Sequence, residues 1–309
     1  MTLAYISHSD CLRHDMGPHH PECPARLRAI EDRLAAAGVM DWLRHIEAPE
    51  VSPLVLRHAH DALYLAELNA TSPGEGYAHV DPDTFMNAYT LRAARRAAGA
   101  VVRAVDGIMA GEFDRAFCAV RPPGHHAIRN EAMGFCFYNN AAIGVLHALE
   151  EHGLARVALV DFDVHHGNGT QDIYERDGRV GYFSSHQSPL YPGTGRHEEH
   201  GVGNIHNAEL LAGSGSVEFR HAWREQLLPK LRAFAPELLL ISAGFDAHYL
   251  DPLAGLAVTT ADYHWLTTEL LDATARSSGG RVISMLEGGY SPTALAESSV
   301  AHVEALLDD

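Results

Sequence analysis

ARVALVDFDVHHGNGT, residues 155–170, opens on a short apolar run, Val157-Ala158-Leu159-Val160, whose length and β-branched content read as a buried strand. Asp161, Asp163 and His165 follow at a spacing of two. In an extended chain residues two apart share a side, so one edge is expected to carry two carboxylates and an imidazole. Gly167, Asn168 and Gly169 then end the strand in a turn. Buried charge is costly unless it is paired or holds a cation, so this strand end reads as a metal site. The plainer alternative is that an Asp-x-Asp pair at a strand end caps a helix or meets an arginine.

Outward from this strand, the apolar patterning alternates between two periods. Further strands are expected at 3–7, 115–120, 180–185, 237–242 and 281–286. Helices are expected at 25–37, closed by Gly38, and at 58–69, 85–110, 139–151, 217–234 and 261–275, with a last one after Ser291-Pro292. Such alternation implies an α/β fold with a mostly parallel sheet and helices on both faces. No internal repeat or linker-like shift in composition interrupts it, so residues 1–309 read as a single domain.

Four chemically loaded segments each follow an apolar strand: PPGHH (122–126), DFDVHHGNG (161–169), AGFD (243–246) and EGGY (287–290). Ligands of open α/β sheets bind at the carboxyl ends of the strands. These four segments are therefore expected to meet in one place.

Lys and Arg number 23 against 40 Asp and Glu, a net charge of −17, which argues against nucleic-acid binding through phosphates. An acidic surface attracts cationic partners such as lysine-rich peptides or polyamines. The 22 histidines include the pairs His19-His20, His125-His126 and His165-His166, although most are expected to be ordinary surface residues. The four cysteines, Cys11, Cys23, Cys118 and Cys136, have neither a zinc-knuckle spacing nor a disulfide framework. With no signal-peptide pattern at the N-terminus and no apolar run of about 20 residues, a cytoplasmic protein is expected, without a membrane partner.

The combination PPGHHA (122–127), GFCFYNN (134–140), DFDVHHGNGTQ (161–171), YPGTG (191–195), AGFDAHYLDPL (243–253) and LEGGY (286–290) resembles the zinc-dependent histone deacetylase and acetylpolyamine amidohydrolase family, on the arginase–deacetylase fold. The likeness runs from His19-His20-Pro21-Glu22 to Tyr290, and the Asn in HHGNG is similar to the class II branch. It implies that Asp163, His165 and Asp246 hold one Zn²⁺, in keeping with three protein ligands and an open position at catalytic zinc. Ligand type alone leaves Fe²⁺ open as well. The arginase alternative, a two-manganese cluster, needs a second carboxylate two residues past the later Asp; here that position is His248 and the next carboxylate is Asp251. The same resemblance places a structural K⁺ at Asp161 and Ser184, with backbone oxygens of Asp163, His165 and Ser185.

By the resemblance, His126 is the main general base and acid, while His125 orients the water. Asp161 pairs with His125, and Asn168 faces His126 where another branch has Asp. A neutral amide does not raise an imidazole pKa as a carboxylate does, which leaves His126 free to accept a proton near pH 7. Tyr290 is expected to donate to the substrate oxyanion; poorly active relatives have His there. Gly134, Phe135 and Tyr191 correspond to the walls of a narrow acyl-lysine tunnel. Leu253 stands where polyamine-selective relatives can carry a glutamate. The expected activity is removal of acetyl or short acyl groups from lysine in proteins or peptides, with acetylpolyamine hydrolysis as the alternative and a silent acyl-lysine reader as a third reading. A homo-oligomer is compatible with all three.

Overall fold

The computed structural model describes residues 1–308. Ten strands occur in chain order: β1 (Leu3–Ser7), β2 (Leu43–Glu47), β3 (Ala78–His79), β4 (Phe85–Met86), β5 (Arg115–Cys118), β6 (Val157–Asp161), β7 (Val180–Gln187), β8 (Ile205–Leu210), β9 (Leu238–Ala243) and β10 (Val282–Leu286). The helices are α1 (Ala25–Ala36), α2 (Pro53–Ala59), α3 (Ala62–Thr71), α4 (Thr90–Met109), α5 (Asn140–Glu150), α6 (Asn168–Tyr174), α7 (Ser216–His221), α8 (Leu228–Phe234), α9 (Thr260–Ser278) and α10 (Pro292–Leu307). Eight strands form one sheet in the order β2-β1-β5-β10-β9-β6-β7-β8. All of its neighbouring pairs are parallel. This is the single-domain α/β architecture expected from the alternation, with helices packed around the sheet.

The strand order carries the functional consequence. β5, β10, β9 and β6 lie side by side, and these four strands lead into PPGHH, EGGY, AGFD and DFDVHHGNG respectively. Parallel neighbours put all four carboxyl ends on one edge, so segments up to about 170 residues apart in sequence emerge next to one another. The register is close at that edge: Asp161 lies opposite Ser184 of β7 and Ser242 of β9, and Leu286 lies opposite Ala243.

Several expectations need correction. The helix expected over 85–110 begins only at Thr90, because Phe85 and Met86 pair with Ala78 and His79 as a small antiparallel ribbon. The helix expected over 58–69 is two helices broken at His60-Asp61. Both outer strands of the sheet, β2 and β8, were absent from the sequence reading; β2 (LRHIE) and β8 (IHNAEL) carry polar residues that dilute the apolar signal of an edge strand. The helix expected over 217–234 contains a π-helical segment at Ala222–Leu227. All four cysteines are free thiols.

Several buried histidines are held neutral by the fold. His302 of α10 lies beneath the site, hydrogen-bonded to Thr267 Oγ1 at 2.6 Å and Ser284 Oγ at 2.7 Å. Burial depresses its pKa to about 3. The unfolded chain takes up this proton near pH 6.5 and the folded chain does not, so the stability present above pH 6.5 is lost as pH falls towards 3. Between pH 7 and pH 5 the loss from this one group is about 2 kcal/mol. Urea unfolding of His302→Gln should therefore show a pH 7-to-5 decline smaller than that of the parent by about 2 kcal/mol, whatever its stability at pH 7. An unchanged decline would contradict the assignment.

Candidate active site

The central stretch departs from its simplest reading. Strand β6 stops at Asp161, so Asp161, Asp163 and His165 do not share one extended edge. Past the strand the chain turns back on its own carboxylates: Asp163 N–H donates to Asp161 Oδ1 (3.2 Å) and His165 N–H donates to Asp163 Oδ1 (2.9 Å). This turn sends Asp161 to one side and leaves Asp163 and His165 together with Asp246.

Those three offer one ligand atom each, all within 4.8 Å of one another. His165 Nδ1 is 3.2 Å from both Asp163 Oδ1 and Asp246 Oδ2. Asp246 is further held by Val164 N–H on Oδ1 (2.9 Å), and Asp163 by Gly288 N–H on Oδ2 (2.8 Å). Gly288 is required there: a Cβ at that position would strike the carboxylates of Asp246 and Asp163. Burial and the facing Asp163 carboxylate push Asp246 up to about 7. Two carboxylates and an imidazole nitrogen with no apolar escape are a donor set that suits a borderline divalent cation, which removes the repulsion between the two acids. His248 is not part of this group; its Nδ1 accepts from Leu250 N–H (3.2 Å) and its Nε2 lies 3.4 Å from Thr260 Oγ1.

The histidine pair is organised from behind. His125 Nδ1 donates to Asp161 Oδ2 (3.0 Å), which also accepts from Tyr182 OH (3.1 Å). Burial opposes charge on His125, but the carboxylates of Asp163 and Asp161 outweigh it and raise the pKa to about 10. His126 Nδ1 lies 2.8 Å from Asn168 Oδ1. The Asn168 amide nitrogen faces His126 O and Met133 Sδ, which fixes the oxygen as the acceptor for His126. His126 thus carries its proton on Nδ1 and keeps Nε2 free. Burial, followed by the neighbouring His125 and His165, holds its pKa well below the usual imidazole range.

His126 and His165 open onto a cavity of about 220 Å³ that Gly134, Phe135, Tyr191, Leu253 and Tyr290 also line. Its walls are aromatic: Tyr191 packs edge-on to His126 (5.2 Å between centroids) and Phe135 edge-on to Tyr290 (5.9 Å). Gly134, at φ +55°, leaves room for the His126 ring, against which a Cβ would clash. Burial raises the Tyr290 phenol well above its ordinary value, so it remains a hydrogen-bond donor; Arg26 works against this and Asp246 with it. Ser184 is fully buried opposite Asp161, its Oγ 2.9 Å from His186 Nδ1, while Ser185 Oγ accepts from Trp223 Nε1 (3.1 Å).

Three supporting acids escaped the sequence reading as functional groups. Glu287 is fully buried and accepts from Gly124 N–H (2.7 Å), His125 N–H (3.2 Å) and Ser242 Oγ (3.0 Å), tying the EGGY segment to the histidine loop. Asp251 accepts from the backbone of Tyr290 (2.7 Å) and Ser291 (3.2 Å) on one oxygen and Leu253 (3.0 Å) on the other. Glu22 is enclosed by Arg121 and Arg26. Arg26 in turn donates to the carbonyls of Gly289 (2.7 Å) and Glu287 (2.5 Å) and sits 4.9 Å over the Tyr290 ring. The His-Pro-Glu segment near the N-terminus was the available signal for Glu22; no local pattern marks the other two.

An all-parallel sheet whose strand ends gather these acids and imidazoles defines a hydrolase of the arginase–deacetylase fold. A histone deacetylase domain model matches residues 20–306, and the chain belongs to the histone deacetylase family of amidohydrolases. Among its relatives are an uncharacterized protein of Synechocystis, 40% identical over 99% of each chain. Another is the histone deacetylase-like amidohydrolase of Pseudomonas aeruginosa, 36% identical over 96% of this chain and 83% of the relative. The crystal structure of the HDA15 HD domain superposes with a TM-score of 0.94 at 38% identity, covering 99% of this chain and 88% of the other. No described helix is long and apolar enough to cross a membrane.

Proposed function

We propose that this chain is a Zn²⁺-dependent deacetylase that hydrolyses the ε-N-acetyl or short acyl amide of lysine in peptides or proteins. The observation that carries the reading is the convergence of Asp163, His165 and Asp246 beside the free Nε2 face of His126 at the base of one apolar-walled cavity. A Zn²⁺ ion held by those three residues would supply Lewis acidity to the amide carbonyl and acidify a water. His126 Nε2 takes a proton from the attacking water, whose oxygen bonds to the carbonyl carbon. The Tyr290 hydroxyl donates to the developing oxyanion, and His125, oriented by Asp161, holds the water in line. His126 then returns its proton to the amine nitrogen as the C–N bond breaks, giving acetate and the free lysine. Phe135, Tyr191 and Gly134 enclose the substrate stem; burying four methylenes there contributes about 3 kcal/mol. Asp161 and Ser184, register partners with oxygen donors, suit a structural K⁺ completed by backbone oxygens of Asp163, His165 and Ser185.

Acetylpolyamine is the second reading, favoured by the net charge of −17 and by Asp83 in the cavity lining. Leu253, an apolar wall residue, offers no counter-charge to a distant ammonium and favours lysine. Steady-state assays with an acetyl-lysine peptide and acetylputrescine separate the two. A larger kcat/KM for the peptide is expected, with activity lost to a chelator and restored by Zn²⁺. The reverse preference would select the polyamine, and binding without turnover of either would select a silent reader.

A further inference from the structure

Away from the catalytic cavity, a second set of ligand-type side chains converges. Asp106 sits near the end of α4, His147 in the last turn of α5, and His152 just past the end of α5. The two helices approach closely where Gly144 meets Val101, a contact that leaves no space for a Cβ. His147 and Asp106 are carried by this rigid helix pair. Both imidazoles aim Nε2 at one carboxylate oxygen, Asp106 Oδ1, at 2.7 Å for His147 and 2.8 Å for His152. The His147 side chain is 11% exposed, whereas that of Asp106 is 48% exposed, so the cluster is anchored on one side and reachable from the other.

We infer that Asp106, His147 and His152 form a second site for a borderline divalent transition ion such as Zn²⁺, clipping α4 to the turn between α5 and β6. Two imidazoles and one carboxylate are a donor set such ions prefer, and the ligand atoms all lie within 4.8 Å of one another. The present spacing is that of proton-bridged groups. Ligand bonds of about 2.0–2.1 Å separate tetrahedral neighbours by about 3.3 Å. The cluster must therefore open by about half an ångström, to near the 3.2 Å separations between His165 and its two carboxylates. The exposed Asp106 carboxylate and the His152 ring, 25% exposed, can supply that movement. Among the described residues His147 Nδ1 has no hydrogen-bond partner to orient the ring from behind. Missing support of that kind costs about 10–100-fold in metal affinity, so a micromolar site is expected. An ion there joins the end of α4 to the segment that leads into β6, the strand that delivers Asp161 and Asp163.

The test is equilibrium dialysis of the full chain against micromolar Zn²⁺, with bound zinc counted per chain. The parent is expected to bind one more ion than His152→Ala or Asp106→Asn, and that extra ion should raise the Tm of the parent but not of either variant. Hydrolysis of the acetyl-lysine peptide by His152→Ala should be unchanged. The same one-ion difference is expected in an Asp246→Asn background, so the outcome does not depend on the assignment of the catalytic centre. Equal zinc content in the parent and both variants would overturn the inference. In the Asp246→Asn background, so would a zinc-dependent rise in Tm that survives both substitutions.

Discussion

His126→Ala should lower kcat for acetyl-lysine peptide hydrolysis by about 10²–10⁴-fold, with KM and bound zinc little changed. His126 is the one imidazole in the cavity whose Nδ1 is committed to a neutral acceptor, Asn168 Oδ1, and whose Nε2 stays free. Its partner His125 has Nδ1 hydrogen-bonded to the Asp161 carboxylate, which favours the imidazolium and suits it to orienting the water rather than taking its proton. His126, held well below the usual range by burial above all, is uncharged at neutral pH. Bound zinc should survive the substitution because the donor group Asp163, His165 and Asp246 does not include His126. A loss below tenfold in kcat, or a variant that no longer binds zinc, would contradict this division of roles.

On the proposed mechanism Tyr290→Phe removes the oxyanion donor, and it should cost about 10²–10³ in kcat. Asp251→Asn should produce a smaller loss in kcat with little change in KM, because Asp251 holds the Tyr290 backbone without facing the cavity. The informative measurement is the double substitution. If Asp251 acts through Tyr290, then Asp251→Asn should have almost no further effect on kcat once Tyr290 is Phe. Additive losses in the double variant would show that Asp251 contributes by another route, such as the wall residue Leu253 to which it also bonds.

The parts of the site that were legible were those with a short-range signature. Val157–Val160 read as a strand because a fully buried parallel strand is an unbroken apolar run, and β6, β9 and β10 are buried along their whole lengths. Loops after such runs announce themselves through Gly, Pro, His and Asp. The outer strands β2 and β8 were missed because polar residues interrupt their apolar runs: β2 exposes Arg44, His45 and Glu47, and β8, although largely buried, carries His206, Asn207 and Glu209. Thr90, not Phe85, begins α4 because pairing of Phe85 and Met86 with Ala78 and His79 overrides local helical character.

From the chain alone came the α/β alternation, the four loaded strand ends and their family resemblance, because each is encoded within a few consecutive residues. Only the tertiary structure decided that β5, β10, β9 and β6 are neighbours, that the chain turns after Asp161 rather than staying extended to His165, and that Glu287 and Asp251 brace the loops. Strand order and the pairing of a buried carboxylate depend on contacts between residues far apart in sequence. Local patterning carries no record of which distant N–H or imidazole will compensate a given buried charge.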